Sequence, residues 1–221
     1  MREAFPSVTV VEQPERRSFA ENHNTGLAAW PSRFGLILNP DVVLAPGCLL
    51  ELLIAAEADP RCGLVVPALV YPSGEPQPSA RRFPTPLGTL LRRTPLRRIL
   101  PPDRFAARHY FSAPTEDREI DWALGACWLV RRTAWDEVGG FDEGFRPLYV
   151  EDIDLAWRLR QAGWTVRQAA AAVARHEHQA ATDGAFLTER TLWHARGMAR
   201  FVRRHPTVLA GYRPGFGRPG D

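Results

Sequence analysis

The sequence has no lysine; all 28 of its basic residues are arginine. The base composition of a genome suffices to produce such a bias, so it is not by itself evidence of chemistry. Cysteine is scarce. Cys48, Cys62 and Cys127 form no CxxC pair, and each sits in an apolar context. They read as buried thiols in a reducing compartment, not as a disulfide framework. No apolar run approaches the roughly 18–20 residues that a membrane span needs. The start, MREAFPSVTVVEQPERR, has no apolar core of signal-peptide type. These absences point to a cytoplasmic protein, with peripheral contact at the inner face of the cell membrane left open. No recognised nucleic-acid module occurs, so no nucleic-acid partner is expected.

What is present fits one sizeable core. The chain has 221 residues, of which 45% are hydrophobic and 24% charged, and these are ordinary globular values. The net charge of +3 argues only weakly for anionic partners. Its distribution says more. Arg81, Arg82, Arg92, Arg93, Arg97, Arg98, Arg104 and Arg108 face a single acid, Asp103, over that stretch. Such a cluster suits phosphates or an anionic membrane surface; a solvated basic loop is the plainer reading.

Strand and helix signals alternate. Ser7–Val11 reads as a short strand, and a helix is expected near the end of SFAENHNTGLAAW. Arg33–Leu38 is a continuous apolar run of the kind buried on both faces in a parallel sheet. CLLELLIAAEA is apolar at helical spacing and stops near Pro60. CGLVVPALVY is a strand and PSGEPQP a turn. Residues 84–118, rich in proline and arginine, form a long basic loop with a short helix near Leu87–Leu100. DWALGACWLVRR returns to strand. TAWDEVGGFDEGF is a short helix closed by Gly139-Gly140, and EDIDLAWRLRQAGW is a helix ending at Gly163. TVRQAAAAVARH is ambiguous: its alanines favour helix, whereas Trp164-Thr-Val hints at strand. FLTERTLWHARGMARFVRRHP is a basic amphipathic helix. Its stripe of Trp193, Met198 and Phe201 suits the core, or a membrane surface. The domain is expected over residues 1–206, with a disordered tail over 207–221. Alternating strands and helices imply an α/β sheet with sites at the carboxyl ends of its strands.

Three groups of residues carry candidate chemistry. In Asn39-Pro40-Asp41, two oxygen-bearing side chains straddle a stiff proline at the end of an apolar strand. They can present oxygens to Mg²⁺ or Mn²⁺, or simply form an Asx turn. Glu151, Asp152 and Asp154 open a helix. They can complement its dipole, or one can act as a general base on a hydroxyl. His176 and His178, two residues apart near a chain reversal, can include one metal ligand.

The ordered set LILNPDVVLAPG, QPSARRFPT, ALGACWLVRR, VGGFDEGF, YVEDIDLAWRLRQAGW and VARHEH resembles the family 2 glycosyltransferases of GT-A fold. Its branch resembles the rhamnosyltransferases that build bacterial cell-surface polysaccharides. The resemblance covers roughly Val8 to Pro206. It implies a mixed, Rossmann-like α/β sheet flanked by helices. It also implies metal-dependent, inverting transfer of a sugar from a nucleoside-diphosphate donor to a hydroxyl of a lipid-linked or polysaccharide acceptor. The donor would be a dTDP- or UDP-sugar, with dTDP-rhamnose the first candidate. By the same resemblance Asn39 and Asp41 occupy the metal motif, Asp41 as the direct ligand. His176 completes the site, with His178 as the alternate. Asp152 matches the base, supported by Glu151. Gly125 and Ala126 line the sugar pocket, and Trp122 is placed to stack on a sugar face. SFAENHNTG resembles a GFA-x-x-N-N-x-G segment, with Ser18 for the glycine and His23 for one asparagine. Asn22, Asn24 and Gly26 are therefore donor-side positions.

The resemblance also implies a first βαβ unit, about 60–80 residues long, that grips the nucleotide base. Its V-x-x-Y-N and D-N-x-S-x-D-G type segments do not occur in this sequence, so the expected fold is N-terminally incomplete. A non-catalytic module that binds a partner is the alternative expectation. A metal-dependent phosphohydrolase built on the same acids is a third.

Overall fold

The structure is a computed structural model that describes residues 5–29, 31–85, 110–177, 189–210 and 214. The expected short helix near Leu87–Leu100, most of the basic loop, and His178 lie outside the described residues. Ser7–Val11 is not a strand; it runs as turn and irregular chain. The first element is helix α1, Phe19–Ala28. It starts earlier than the sequence suggests because Ser18 and Glu21 form a reciprocal capping box.

The strands that follow are β1 (Phe34–Leu38), β2 (Val42–Leu44), β3 (Cys62–Val70), β4 (Ala80–Arg81), β5 (Arg118–Glu119), β6 (Trp122–Ala123), β7 (Cys127–Arg131) and β8 (Thr165–His176). The helices are α2 (Cys48–Glu57), α3 (Arg132–Val138), α4 (Glu151–Gln161) and α5 (Glu189–Arg204). Five strands run in the order β1-β7-β3-β8-β2, and β5 pairs with β8. The β3–β8 pair is parallel and the others are antiparallel, so the sheet is mixed. A separate ribbon joins β4 to β6.

β1 was expected to lie buried within a parallel sheet. It stands instead at the end of the described sheet, antiparallel to β7, with only Ile37 buried and Leu38 exposed. Apolar content alone does not distinguish a central strand from a terminal one.

Side chains alternate across the sheet as the strand period demands. Trp128 and Val130 of β7, with Leu64 and Val66 of β3, face one core. That core includes Ile153, Leu155, Trp157 and Leu159 of α4 and Phe201 of α5. Cys127, Leu129 and Val65 face the other core, under Leu52, Ala55 and Ala56 of α2. Trp128 and Trp157 are fully buried, and burying an aromatic of this size contributes roughly 2–3 kcal/mol. The three cysteines are buried and free; burial pushes the Cys127 thiol up to about 12.

The alanine-rich stretch resolves as strand β8. Ala169, Ala172 and Ala174 lie beneath α2, where small side chains let the helix approach the sheet. Pairing with β3 and β2 overrides the helix propensity of alanine. On α5, Phe201 is buried and Met198 packs against the core, as the core reading of the stripe expects, whereas Trp193 is half-buried and joins neither core. Among the described residues no helix is long and apolar enough to cross a membrane. Order continues past the expected boundary at 206: Pro206–Ala210 is a 3-10 helix with Val208 buried.

Candidate active site

Asn39 follows β1, and its N–H donates to the Ala126 carbonyl at 2.9 Å. Pro40 and Asp41 fill a turn closed by the Val42 N–H on the Asn39 carbonyl at 3.1 Å. Proline's fixed φ suits the first corner of such a turn. The next strand, β2, pairs with the end of β8 and sets Val42 opposite His176. The Asp41 carbonyl accepts the Glu177 N–H at 2.8 Å. Held on both sides, Asp41 places Oδ2 3.5 Å from Nε2 of His176. The aspartate side chain is 43% exposed and the histidine 6%, so the pair opens to solvent through the carboxylate.

A third residue orients the histidine. His176 Nδ1 lies 2.9 Å from Gln77 Oε1. A carboxamide oxygen only accepts, so its partner assigns the proton to Nδ1 and turns the Nε2 lone pair toward Asp41. Two electron-rich groups converging in this way suit a divalent cation of the Mg²⁺ or Mn²⁺ class. Among the described residues no three His, Cys, Asp or Glu side chains converge. Among the described residues Asp41 and His176 are thus the two candidate ligands, and such a pair leaves positions for phosphate oxygens and water. For Asn39 the structure fixes the backbone role just described. Gln77 was not anticipated. Nothing marks it locally beyond an amide between two prolines; only its burial, at 7% exposure, reveals it.

The loop Leu124–Ala126 links this pair to the acids of α4. A Cβ on Gly125 would lie 3.2 Å from the Phe19 ring and 4.0 Å from Cβ of Asp152. Asp152 is half-buried, and Oδ1 accepts the Ile153 N–H at 2.9 Å. Burial pushes its carboxyl up to about 6, while the Ile153 N–H and the Arg81 guanidinium pull it back. Glu151 is 5% exposed. Burial, and then the charge of Asp152, push its carboxyl up to about 8. Burial thus raises both carboxyls, Glu151 more than Asp152, so Asp152 is the one of the two neighbours that ionises first.

The third acid has another task. Asp154 is fully buried, bonded to Arg158 at 2.7 Å and to His205 at 2.9 Å. Burial opposes its ionisation, but His205 and Arg158 outweigh it and hold the carboxyl below its usual range. It anchors α5 to α4 and does not face the site.

The turn entering α4 is strained. Tyr149 and Val150 have φ of 86° and 80°, a region that costs about 1 kcal/mol or more per non-glycine residue. Helix α5 holds this turn down. A Cβ on Gly197 would come 2.8 Å from the Tyr149 carbonyl oxygen. Arg200 and Arg204 both pair with Asp142, at 2.9 and 3.3 Å.

Four expected positions fall elsewhere. Asn24 donates to the Phe141 carbonyl at 3.0 Å and to Glu143 at 2.9 Å, and accepts the Phe141 N–H at 2.9 Å. It is a clamp between α1 and the loop after α3, with little capacity left for a donor. Asn22 is exposed, and its Nδ2 donates to the Arg17 carbonyl at 3.4 Å. Gly26 is exposed, with no atom within 4 Å of where a Cβ would sit. Trp122 is only 6% exposed. Its indole N–H donates to the Arg82 carbonyl at 2.9 Å, and Arg81 covers its ring at 5.2 Å. A ring so enclosed offers no open face to a sugar.

The family described as "Glycosyltransferase like family 2" matches residues 1–197. The chain belongs to that family. This family 2 chain is 39% identical over 141 residues to the N-acetylglucosaminyl-diphospho-decaprenol L-rhamnosyltransferase of Mycobacterium tuberculosis (strain ATCC 25618 / H37Rv). The match covers 61% of this chain and 44% of the relative, so the chain spans less than half of that protein's length. Its fold is similar to GalNAc-T7 with UDP, GalNAc and Mn²⁺, at a TM-score of 0.59 and 14% identity. That match covers 88% of this chain and 36% of the other. It is also similar to the mannosyltransferase PcManGT from Pyrobaculum calidifontis in complex with GDP-Man and Mn²⁺, at 0.55 and 17%. There the coverage is 96% and 52%. The fold is thus that of the GT-A glycosyltransferases.

Proposed function

We propose that this chain carries the metal and base residues of an inverting, metal-dependent glycosyltransferase of hexosyltransferase type. The donor is a nucleoside-diphosphate sugar, with a dTDP- or UDP-sugar the first choice. The acceptor is a hydroxyl of a lipid-linked or polysaccharide sugar in cell-surface glycan synthesis. One observation carries the reading. The Asp41–His176 pair and Asp152 are joined through a single short path: Asn39 to Ala126 by a hydrogen bond, then Gly125 against Asp152.

Asp152 accepts the proton of the acceptor hydroxyl. The freed oxygen forms its bond to the anomeric carbon as the bond from that carbon to the diphosphate oxygen breaks. The nucleoside diphosphate departs with the electron pair. One displacement from the face opposite the leaving group inverts the anomeric centre. A carboxyl with its pKa near 6 is ionised at neutral pH yet basic enough to take a proton in the transition state. Asp41 and His176 would hold a divalent ion, which when bound supplies positive charge to the departing diphosphate. Neutral Glu151 keeps a second negative charge away from Asp152. The leading rhamnose assignment rests on the relative's name and on the motif resemblance.

The test is calorimetric titration of the chain with dTDP and UDP, with and without Mn²⁺, followed by a transfer assay with donor and acceptor panels. Mn²⁺-dependent nucleotide binding and product of inverted configuration are expected. A folded chain that binds neither nucleotide in Mn²⁺ overturns the proposal.

A further inference from the structure

One arginine beside the candidate base has no role in the reaction as described. Arg81 lies at the centre of a three-strand arrangement. It pairs with Trp122 across the β4–β6 ribbon and bridges to Tyr110 on its other side. The two aromatic residues therefore flank it from adjacent strands. The guanidinium carbon lies 5.3 Å from the Tyr110 ring centre and 5.2 Å from that of Trp122. Its Nε donates to the Pro78 carbonyl at 3.4 Å.

This is an unusual way to hold a flexible cation. Two rings at its sides restrict the rotamers of the side chain, so little entropy remains to be lost on binding. A guanidinium flanked by rings on two sides presents its planar fork of N–H donors in a restricted direction, which suits a phosphate or carboxylate. The neighbourhood is cationic beyond Arg81. Arg82 lies 4.4 Å over the Phe111 ring and Arg118 lies 5.1 Å from the same ring. Among the described residues neither Arg82 nor Arg118 forms an ion pair with a carboxylate. Burial, then the charge of Arg82, hold the Arg118 guanidinium below its usual range. Two half-buried like charges around one ring create a potential that an anion relieves.

Position decides which anion. Arg81 pairs with Trp122 of β6, the strand that packs against α4, the helix whose first turn carries Asp152; its charge also draws that carboxyl down, and the base lies on the acceptor side of the reaction. The donor diphosphate belongs to Asp41 and His176. We infer that the Arg81 guanidinium, held between Tyr110 and Trp122, seats a diphosphate ester on the acceptor, as in a sugar linked through diphosphate to an isoprenoid lipid. This inference rests on the transferase reading for its choice of ligand.

Binding, not turnover, tests it. Geranyl diphosphate is titrated calorimetrically into the chain in EDTA, and dTDP into the chain with Mn²⁺. Arg81→Gln should weaken geranyl diphosphate by about ten- to a hundred-fold, the value of one charge-assisted contact. Arg81→Lys keeps the charge but not the fork, so it should fall between. The Mn²⁺-dependent dTDP affinity should not move in either variant. Thermal melts establish that both variants fold, and Arg81→Lys alone suffices if the glutamine variant does not. The inference is overturned if the wild type binds no geranyl diphosphate, or if folded variants bind it as tightly as the wild type. It is overturned equally if the loss falls on dTDP, which would assign Arg81 to the donor. Failure of the transferase reading itself shows in a separate arm, as absence of Mn²⁺-dependent dTDP and UDP binding by the wild type.

Discussion

Asp41 Oδ2 and His176 Nε2 lie 3.5 Å apart, although 134 positions separate the two residues in sequence. The β2–β8 ladder brings them together by pairing Val42 with His176. Asp41→Ala and His176→Ala should each weaken Mn²⁺-dependent dTDP or UDP affinity at least about ten-fold. Gln77→Ala, which removes the group that orients the imidazole, should cost about ten- to a hundred-fold in metal affinity. Calorimetry over a Mn²⁺ series reads both. Unchanged affinity in the Asp41 and His176 variants would sink the metal assignment.

Asp152→Asn keeps the size and the Ile153 contact of the side chain but removes the base. Transfer should fall by about a hundred- to ten-thousand-fold, with donor and metal binding unchanged. In the wild type kcat should rise with pH through about 6, as Asp152 ionises, and then level off. Native turnover in the asparagine variant assigns the base elsewhere.

Glu151 links stability to pH. In the fold its carboxyl stays protonated to about pH 8, against an ordinary 4.5. Between those values the folded chain holds a proton that the unfolded chain has lost, so stability falls as pH rises. Asp152, raised to about 6, and histidines with ordinary values near 6.5 titrate over part of the same range. The share that belongs to Glu151 is therefore read as the difference between the wild type and a variant that cannot ionise there. Glu151→Gln should flatten the decline, as read by melting temperature against pH. Equal slopes in wild type and variant would show that Glu151 ionises normally.

Asp154→Ala should be a stability lesion. It strands half-buried Arg158 and the buried His205 contact, at a cost of about 3 kcal/mol. A lower denaturant midpoint at constant slope is the expected signature. Losses below about 1 kcal/mol would mean that α5 is anchored mainly by Phe201 and the Asp142 pairs.

Much of this architecture was legible in the residues. Gly139 and Gly163 end α3 and α4, with φ of 74° and 87°, where the chain needs the left-handed region. The period of two in CWLVR sorts Trp128 and Val130 from Cys127 and Leu129. The motifs around Asp41, Asp152 and His176 marked the candidate site because their chemistry is carried by residue type and order.

What was not legible depends on distant partners. The alanines of β8 favour helix until β3 and β2 supply backbone partners on either side. β1 reads as central because hydropathy does not count neighbours. Asn24 and Trp122 suggested ligand contacts, but Phe141, Glu143, Arg81 and Arg82 occupy them instead. By itself the sequence determined most of the element types, the glycine-marked ends of α3 and α4 and the family to which the chain belongs, since these rest on local geometry and ordered motifs. Only the tertiary structure decided that Gln77 meets His176, that Asp154 is sealed against Arg158 and His205 while Asp152 stays half-buried beside Gly125, and that burial raises the carboxyls of Glu151 and Asp152 unequally. Each depends on the dielectric and the hydrogen-bond partners that segments far apart in the chain create when they pack together.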